Sequence, residues 1–272
     1  METLVIKNNL LSGGTQKLYR DVIVENGTLF CFDFSNAGCV RNDDLATVRD
    51  LAMEAKQELG IADNVSFDVT DRGVVPALNG KKGYPIVDLG SYSANAYDSG
   101  LNIFGIDDYL FNNQPEKMLI TFWVGTGEIT NSTSNEWAKA GNRDNFRASG
   151  SVATSMHFTS SSIVAEPLPD VKQLTVERQG VGLPNRIYIN GKYEGEGSAD
   201  AVSFSENTGG NPFSIGAKVP FTDTNLVLYR AFMEDLTVSG RSALDIVQKD
   251  YNYVNGIGEF AGIEPRPFAN LI

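Results

Sequence analysis

The residue types that carry acid–base and nucleophilic chemistry are few in this chain of 272 residues. His157 is the one histidine, so a Ser-His-Asp triad or a Cys-His pair has to pass through it. Its neighbours Met156 and Phe158 read as strand, and no GxSxG nucleophile elbow is present. Cys31 and Cys39 are the only thiols; two cysteines form at most one bridge, cannot fill a structural zinc site unaided, and read here as reduced, packed side chains. Glycoside hydrolysis asks for two carboxylates about 5 to 5.5 Å apart for retention or about 6.5 to 9.5 Å apart for inversion. Glu194 and Glu196 share a strand face after the Asn190-Gly191 turn, but Gly195 and Gly197 mark that segment as an exposed edge. No catalytic residue is assigned on these grounds.

Binding chemistry is better represented. Calcium takes six to eight oxygens, and Asp107, Asp108, Asn112 and Asn113 could supply several of them from one loop, although turn stabilisation explains the same residues and no EF-hand spacing occurs. Calcium is the one cofactor these residues leave open. Sugar binding needs an exposed aromatic ring with polar groups beside it; Trp137, Tyr92 and Tyr97 lie in polar loop sequence and fit, whereas Trp123 lies in an apolar strand and reads as core. Gly180-Val181-Gly182 and Gly256-Ile257-Gly258 lack the third glycine and the following helix of a phosphate cradle, so nucleotide cofactors are not expected.

Strand signals dominate the elements that must position these residues. Leu4-Val5-Ile6 and Asp21-Val22-Ile23-Val24 are β-rich, and Glu25-Asn26-Gly27-Thr28 carries the Asn-Gly pair of a type I′ hairpin. The partner strand is then Leu29 to Phe34, with Phe30, Phe32 and Phe34 on one face and Cys31 and Asp33 on the other, the pattern of a half-buried strand. After Gly38, Leu45, Val48, Ala52, Ala55 and Leu59 recur every three or four residues, behind Asn42, Asp43 and Asp44 and ahead of Gly60; that is an amphipathic helix with Met53, Glu54, Lys56 and Gln57 off or at the margin of its stripe. Residues 1–80 are thus expected to form a small α+β unit for anchoring and assembly. One helix against a hairpin buries little, so the unit must lean on the larger domain or on a neighbouring copy.

The turn-rich stretch from Asp71-Arg72-Gly73 to Asn79-Gly80-Lys81-Lys82-Gly83 sets the expected boundary. From Tyr84 onward short apolar runs alternate with turns, which predicts a mainly β second domain over 84–260, an antiparallel β-sandwich or jelly roll, followed by a tail over 261–272. One helix is predicted there: Ser242-Ala243-Leu244-Asp245 has capping-box spacing, and Leu244, Val247 and Tyr251 continue an apolar face.

The chain carries 22 basic and 34 acidic residues, a formal charge of −12, which excludes a basic nucleic-acid clamp and repels phosphate and anionic headgroups. With 42% hydrophobic residues, 27 glycines and 10 prolines it is a globular chain rich in turns. No run of about 18 apolar residues is present to span a bilayer as a helix. Met1-Glu2-Thr3-Leu4-Val5-Ile6-Lys7 lacks the features of a secretory signal, so the expectation is a protein that stays where it is made and inserts in no membrane.

Three segments carry a family resemblance. Leu101-Asn102-Ile103-Phe104-Gly105-Ile106-Asp107-Asp108-Tyr109-Leu110 leads to Lys117-Met118-Leu119-Ile120-Thr121-Phe122-Trp123-Val124; Gln173-Leu174-Thr175-Val176-Glu177-Arg178 leads to Arg186-Ile187-Tyr188-Ile189-Asn190-Gly191-Lys192; Phe213-Ser214-Ile215-Gly216-Ala217 leads to Tyr229-Arg230-Ala231-Phe232-Met233-Glu234-Asp235-Leu236 and the Ser242 to Tyr251 helix. In that order, over residues 95 to 255, they resemble the laminin-G-like branch of the concanavalin A-like jelly rolls. Joined to a small α+β unit, the whole resembles a bacteriophage virion protein of the fibre or tail class. The resemblance implies a non-enzymatic virion structural protein, a head- or tail-associated fibre or decoration component made in the host cytoplasm. It would assemble through its N-terminal unit as a homo-oligomer, contact other virion proteins and display a lectin-like domain. The alternative is a glycan-binding adhesion module for host-surface attachment. A glycoside hydrolase comes third, because the ExDxxE string of the jelly-roll glucanases is absent.

Overall fold

The computed structural model describes residues 21–36, 38–39, 48–61, 64–67, 76–77, 81–86, 101–126, 147–149, 156–157, 171–199, 213–215 and 226–265. In chain order the elements are β1 (Thr28–Asp33), α1 (Met53–Glu58), β2 (Asn64–Phe67), β3 (Pro76–Ala77), β4 (Lys81–Lys82), β5 (Tyr84–Ile86), β6 (Leu101–Phe104) and α2 (Ile106–Asn113). Then come β7 (Met118–Thr126), β8 (Arg147–Ser149), β9 (Met156–His157), β10 (Lys172–Arg178), β11 (Pro184–Ile189), β12 (Lys192–Ala199), β13 (Phe213–Ile215), β14 (Leu226–Asp235), α3 (Leu236–Ser239) and α4 (Ala243–Asn255). The described chain is mainly β. Its principal sheet runs β1-β14-β7-β10-β11-β12, with β5 also on β14; a second sheet runs β2-β6-β13-β8-β9, and β3 pairs with β4. Every pairing is antiparallel.

Register explains the two faces of the principal sheet. Phe32, Ala231, Phe122 and Leu174 are successive cross-strand partners, as are Phe30, Met233, Ile120 and Val176, and all eight belong to one hydrophobic core. Burying a side chain of the Phe or Leu class is worth about 1.5–3 kcal/mol, against about 1 kcal/mol net for a hydrogen bond, so this face holds the sheet together. The other face carries a polar row, Asp33, Arg230, Trp123 and Gln173, in the same kind of register.

Two sequence expectations change at the entry to the principal sheet. Asp21 to Val24 forms turns rather than a strand: the Asp21 carboxylate accepts the Ile23 N–H, the Thr28 hydroxyl accepts the Glu25 N–H, and Gly27, at φ 98°, closes against the Asp235 carbonyl, where a Cβ would come within 2.8 Å. The Asn-Gly signal therefore marks a turn into β1 and no hairpin. The strand that follows is buried on both faces rather than one. β1 pairs with β14 over Thr28 to Asp33, and its side chains share the core of β7 and β10.

Helix α4 forms where expected, but its face is rotated. Ala243, Ile246, Val247, Asp250, Tyr253 and Val254 are buried while Leu244 is exposed. Ser242 occupies the N-cap position without a side-chain bond, so its capping box is not made.

Candidate functional site

A buried ionic node fixes α4 on the polar row. Arg230, fully buried on β14, donates from both Nη atoms to Asp21 at 2.8 Å, from Nη1 to Asp33 at 3.3 Å and from Nε to Asp250 on α4 at 2.8 Å. Burial alone would lower the guanidinium pKa; the carboxylates of Asp21 and Asp250 outweigh it and hold the group well above its ordinary value. Burial pushes the Asp250 carboxyl up, and Arg230 draws it partly back. Asp250 also accepts from Trp123 Nε1 at 2.7 Å and Gln173 Nε2 at 2.8 Å. A second buried pair, Lys56 and Asp50 at 3.2 Å, anchors α1, and Asp50 accepts the Cys31 N–H.

Gln173 carries this order outward to the β11–β12 hairpin. Its Oε1 accepts the Gly191 N–H at 2.9 Å, and its own N–H donates to Asn190 Oδ1 at 3.0 Å. Asn190 and Gly191, at φ 49° and 79°, make the two-residue loop that matches strand twist. Tyr251 stacks on Trp123 at 6.0 Å between ring centroids and closes over Gly191, where a Cβ would meet its ring at 3.2 Å. The hairpin is therefore clamped to the helix.

What the clamp presents is a patch at the outer end of the sheet. Tyr188 and Tyr193 are cross-strand partners, their rings 5.8 Å apart at 67°. Tyr188 is buried and donates its hydroxyl to Glu177; burial and that carboxylate together push the phenol pKa up, which keeps the donor protonated. Tyr193 stands 51% exposed. Arg186, its side chain 44% exposed, lies 3.8 Å from Glu177 Oε2 and opposite Glu196. An exposed ring edged by a fixed cation and carboxylates can stack on a sugar face and exchange hydrogen bonds with its hydroxyls. Glu194 is the extra residue of a bulge, since Ile187 faces Gly195 while Tyr188 faces Tyr193. Glu194 and Glu196 are both exposed.

The residues singled out in the sequence fall elsewhere. Tyr92, Tyr97 and Trp137 lie outside the described residues. Asp107, Asp108 and Asn112 stand on helix α2, not in a loop: Gly105, at φ 82°, turns the chain, and Ile106, Tyr109 and Leu110 bury at helical spacing. Successive helical residues diverge by about 100°, so Asp107 is buried while Asp108 and Asn112 are exposed, and the three do not converge on one point. The Asn113 amide is turned back onto the Tyr109 carbonyl at 2.9 Å. Among the described residues no group of three or more His, Cys, Asp or Glu side chains could hold a metal ion. Trp123 is core, as expected. Cys31 and Cys39 are free and buried, and burial raises both thiols above their ordinary pKa, the reverse of what a thiolate nucleophile needs. His157 lies in β9. Tyr193, Arg186 and Glu177 were missed, although a two-residue Asn-Gly loop by itself sets Tyr188 opposite Tyr193.

No protein-family model and no curated protein matches the chain. Solved structures do. The binding domain of Paraclostridial Mosquitocidal Protein 1 superposes with a TM-score of 0.51 at 14% identity, over 84% of this chain and 53% of that one. The chain has a lectin-like β fold. The botulinum neurotoxin serotype D/C VPI 5993 binding domain gives 0.48 at 12% identity, over 84% and 53%. The botulinum neurotoxin DC binding domain in complex with rat synaptotagmin II gives 0.46 at 13%, over 84% and 52%. Each of the three is a binding domain by name, and this chain spans about half the length of each.

Proposed function

We propose that the chain is a non-catalytic adhesion module, a concanavalin A-like jelly roll that holds its carrier to cell-surface glycan. The observation that carries this reading is the Tyr193 ring, exposed and propped on the buried Tyr188, with Arg186 and Glu177 fixed beside it. Ring and polar groups sit on β10, β11 and β12, which are tied to α4 through Gln173 and so are ordered before a ligand arrives. Preorganisation of this kind reduces the entropy lost on binding. The aromatic residues Tyr92, Tyr97 and Trp137 are further proposed contacts. Glycan-array binding of the intact chain tests the reading: Tyr193→Ala should remove the signal while the melting temperature stays put, and Trp137→Ala should weaken it. An array on which Tyr193→Ala binds as the parent does contradicts it.

A virion structural component whose copies associate is the second reading. It is favoured by Val181 and Leu183, 67% and 49% exposed on the turn between β10 and β11, two apolar side chains suited to packing against another protein surface. Light scattering tests it: a stable oligomer dispersed by Val181→Asp with Leu183→Asp is expected, and a strict monomer contradicts it.

A further inference from the structure

We infer that the Tyr193 patch selects uncharged pyranosides and turns away sugars that carry a carboxylate, an inference that rests on the glycan-binding reading above. The argument starts from register. Glu177 faces Arg186 across β10 and β11, and Arg186 faces Glu196 across β11 and β12. Thr175, Tyr188 and Tyr193 form the neighbouring row on the same face of the sheet. Directly opposed side chains have Cβ atoms about 4.5–5.5 Å apart, so one guanidinium stands between two carboxylates, and the row sums to one negative charge. Counting the nearby Lys192 and Glu194 leaves that sum unchanged.

The cation is also committed. Arg186 Nη1 lies 3.8 Å from Glu177 Oε2, and Glu177 is held by the Tyr188 hydroxyl. A guanidinium carries five N–H donors in a planar fork, so this contact leaves donors for sugar oxygens while its charge is already offset. The half-exposed fork and the exposed Glu196 then offer a donor and an acceptor side by side. A sugar hydroxyl, which both donates and accepts, satisfies each of them. A carboxylate accepts only, so it would leave Glu196 without a donor and add a third negative charge to a row that has one positive. Tyr193 supplies the apolar surface that the C–H face of a pyranose covers. The formal charge of −12 on the chain acts in the same direction at long range, but salt screens that contribution beyond about 10 Å at 0.1 M, whereas the contact-distance term persists.

The test measures affinities of the intact chain for a panel of neutral oligosaccharides and for the same oligosaccharides ending in a sialic or uronic acid, at low and high salt. The parent, Tyr193→Ala and Glu196→Gln are compared, each checked for an unchanged melting curve. Neutral ligands are expected to bind at least tenfold tighter at both salt concentrations, with Tyr193→Ala lowering that affinity at least tenfold. Glu196→Gln, which keeps the shape and removes one charge, should narrow the gap between the two classes. Acidic glycans bound as well as neutral ones, and lost on Tyr193→Ala, would overturn the selectivity and leave the adhesion reading standing. A panel with no binder of either class, or binding indifferent to Tyr193→Ala, would overturn both.

Discussion

Arg230 is the residue on which most of the polar interior converges. Three carboxylates from the turn before β1, from β1 and from α4 surround one guanidinium, all fully buried. Removing the cation leaves those carboxylates without it, and breaking a buried pair costs about 3–5 kcal/mol. Arg230→Met should therefore lower the urea midpoint far more than Tyr193→Ala, which removes an exposed ring. Equal midpoints for the two variants would show that the node is not what fixes α4. None of this was legible beforehand. Arg230 sits in an apolar strand, and its partners lie 209, 197 and 20 residues away, so no local spacing announces them. Lys56 escaped for a related reason: helical periodicity placed it off the apolar stripe, yet Asp50, held by backbone N–H groups of Cys31 and Ala52, gives it a buried partner.

At the level of elements, the Asn190-Gly191 pair marks a real hairpin between β11 and β12, whereas the Asn26-Gly27 pair, which carries the same signal, does not make one. In the later one both residues adopt positive φ and the flanking strands pair at once. In the earlier one Asp21 is drawn to Arg230 and the chain turns instead. Gly191→Ala should cost about 1–2 kcal/mol from its left-handed backbone and more from the close approach of Tyr251; a denaturation curve unchanged from the parent would remove the clamp described above. The two helix starts give a paired expectation. Asp235 accepts the Thr237 and Val238 N–H groups and the Tyr109 hydroxyl, whereas Ser242 makes no side-chain cap bond. Asp235→Ala should then lose at least the ~1 kcal/mol of a working cap, and Ser242→Ala should lose almost nothing, measured by urea denaturation. The capping-box spacing in the sequence suggested the opposite importance, because spacing records what a side chain could reach and not what it does reach.

For the whole molecule, the mainly β character was legible from alternating apolar runs separated by turns, while the pairing of β1 with β14, a contact between distant segments, has no local signal. Global stability should carry the signature of the buried acids. Burial raises the carboxyls of Asp50, Asp250 and Glu234, with Lys56, Arg230 and Arg241 respectively pulling each back in part. A carboxyl raised in the folded state holds its proton after the unfolded chain has released it near pH 4. The folded state then binds more protons, so stability falls as pH rises from about 4 through each raised value, and the loss is complete above them. Urea midpoints should decline across that range, and Asp250→Asn should flatten the decline; a midpoint that climbs with pH there would contradict the burial argument.

The central claim is that ligand meets the chain at the end of β10, β11 and β12. Protein-observed NMR with a neutral oligosaccharide reads this residue by residue. Amide shifts at Glu177, Arg186 to Ile189 and Lys192 to Glu196, absent in Tyr193→Ala, are expected. Saturable shifts that leave this hairpin untouched would contradict it.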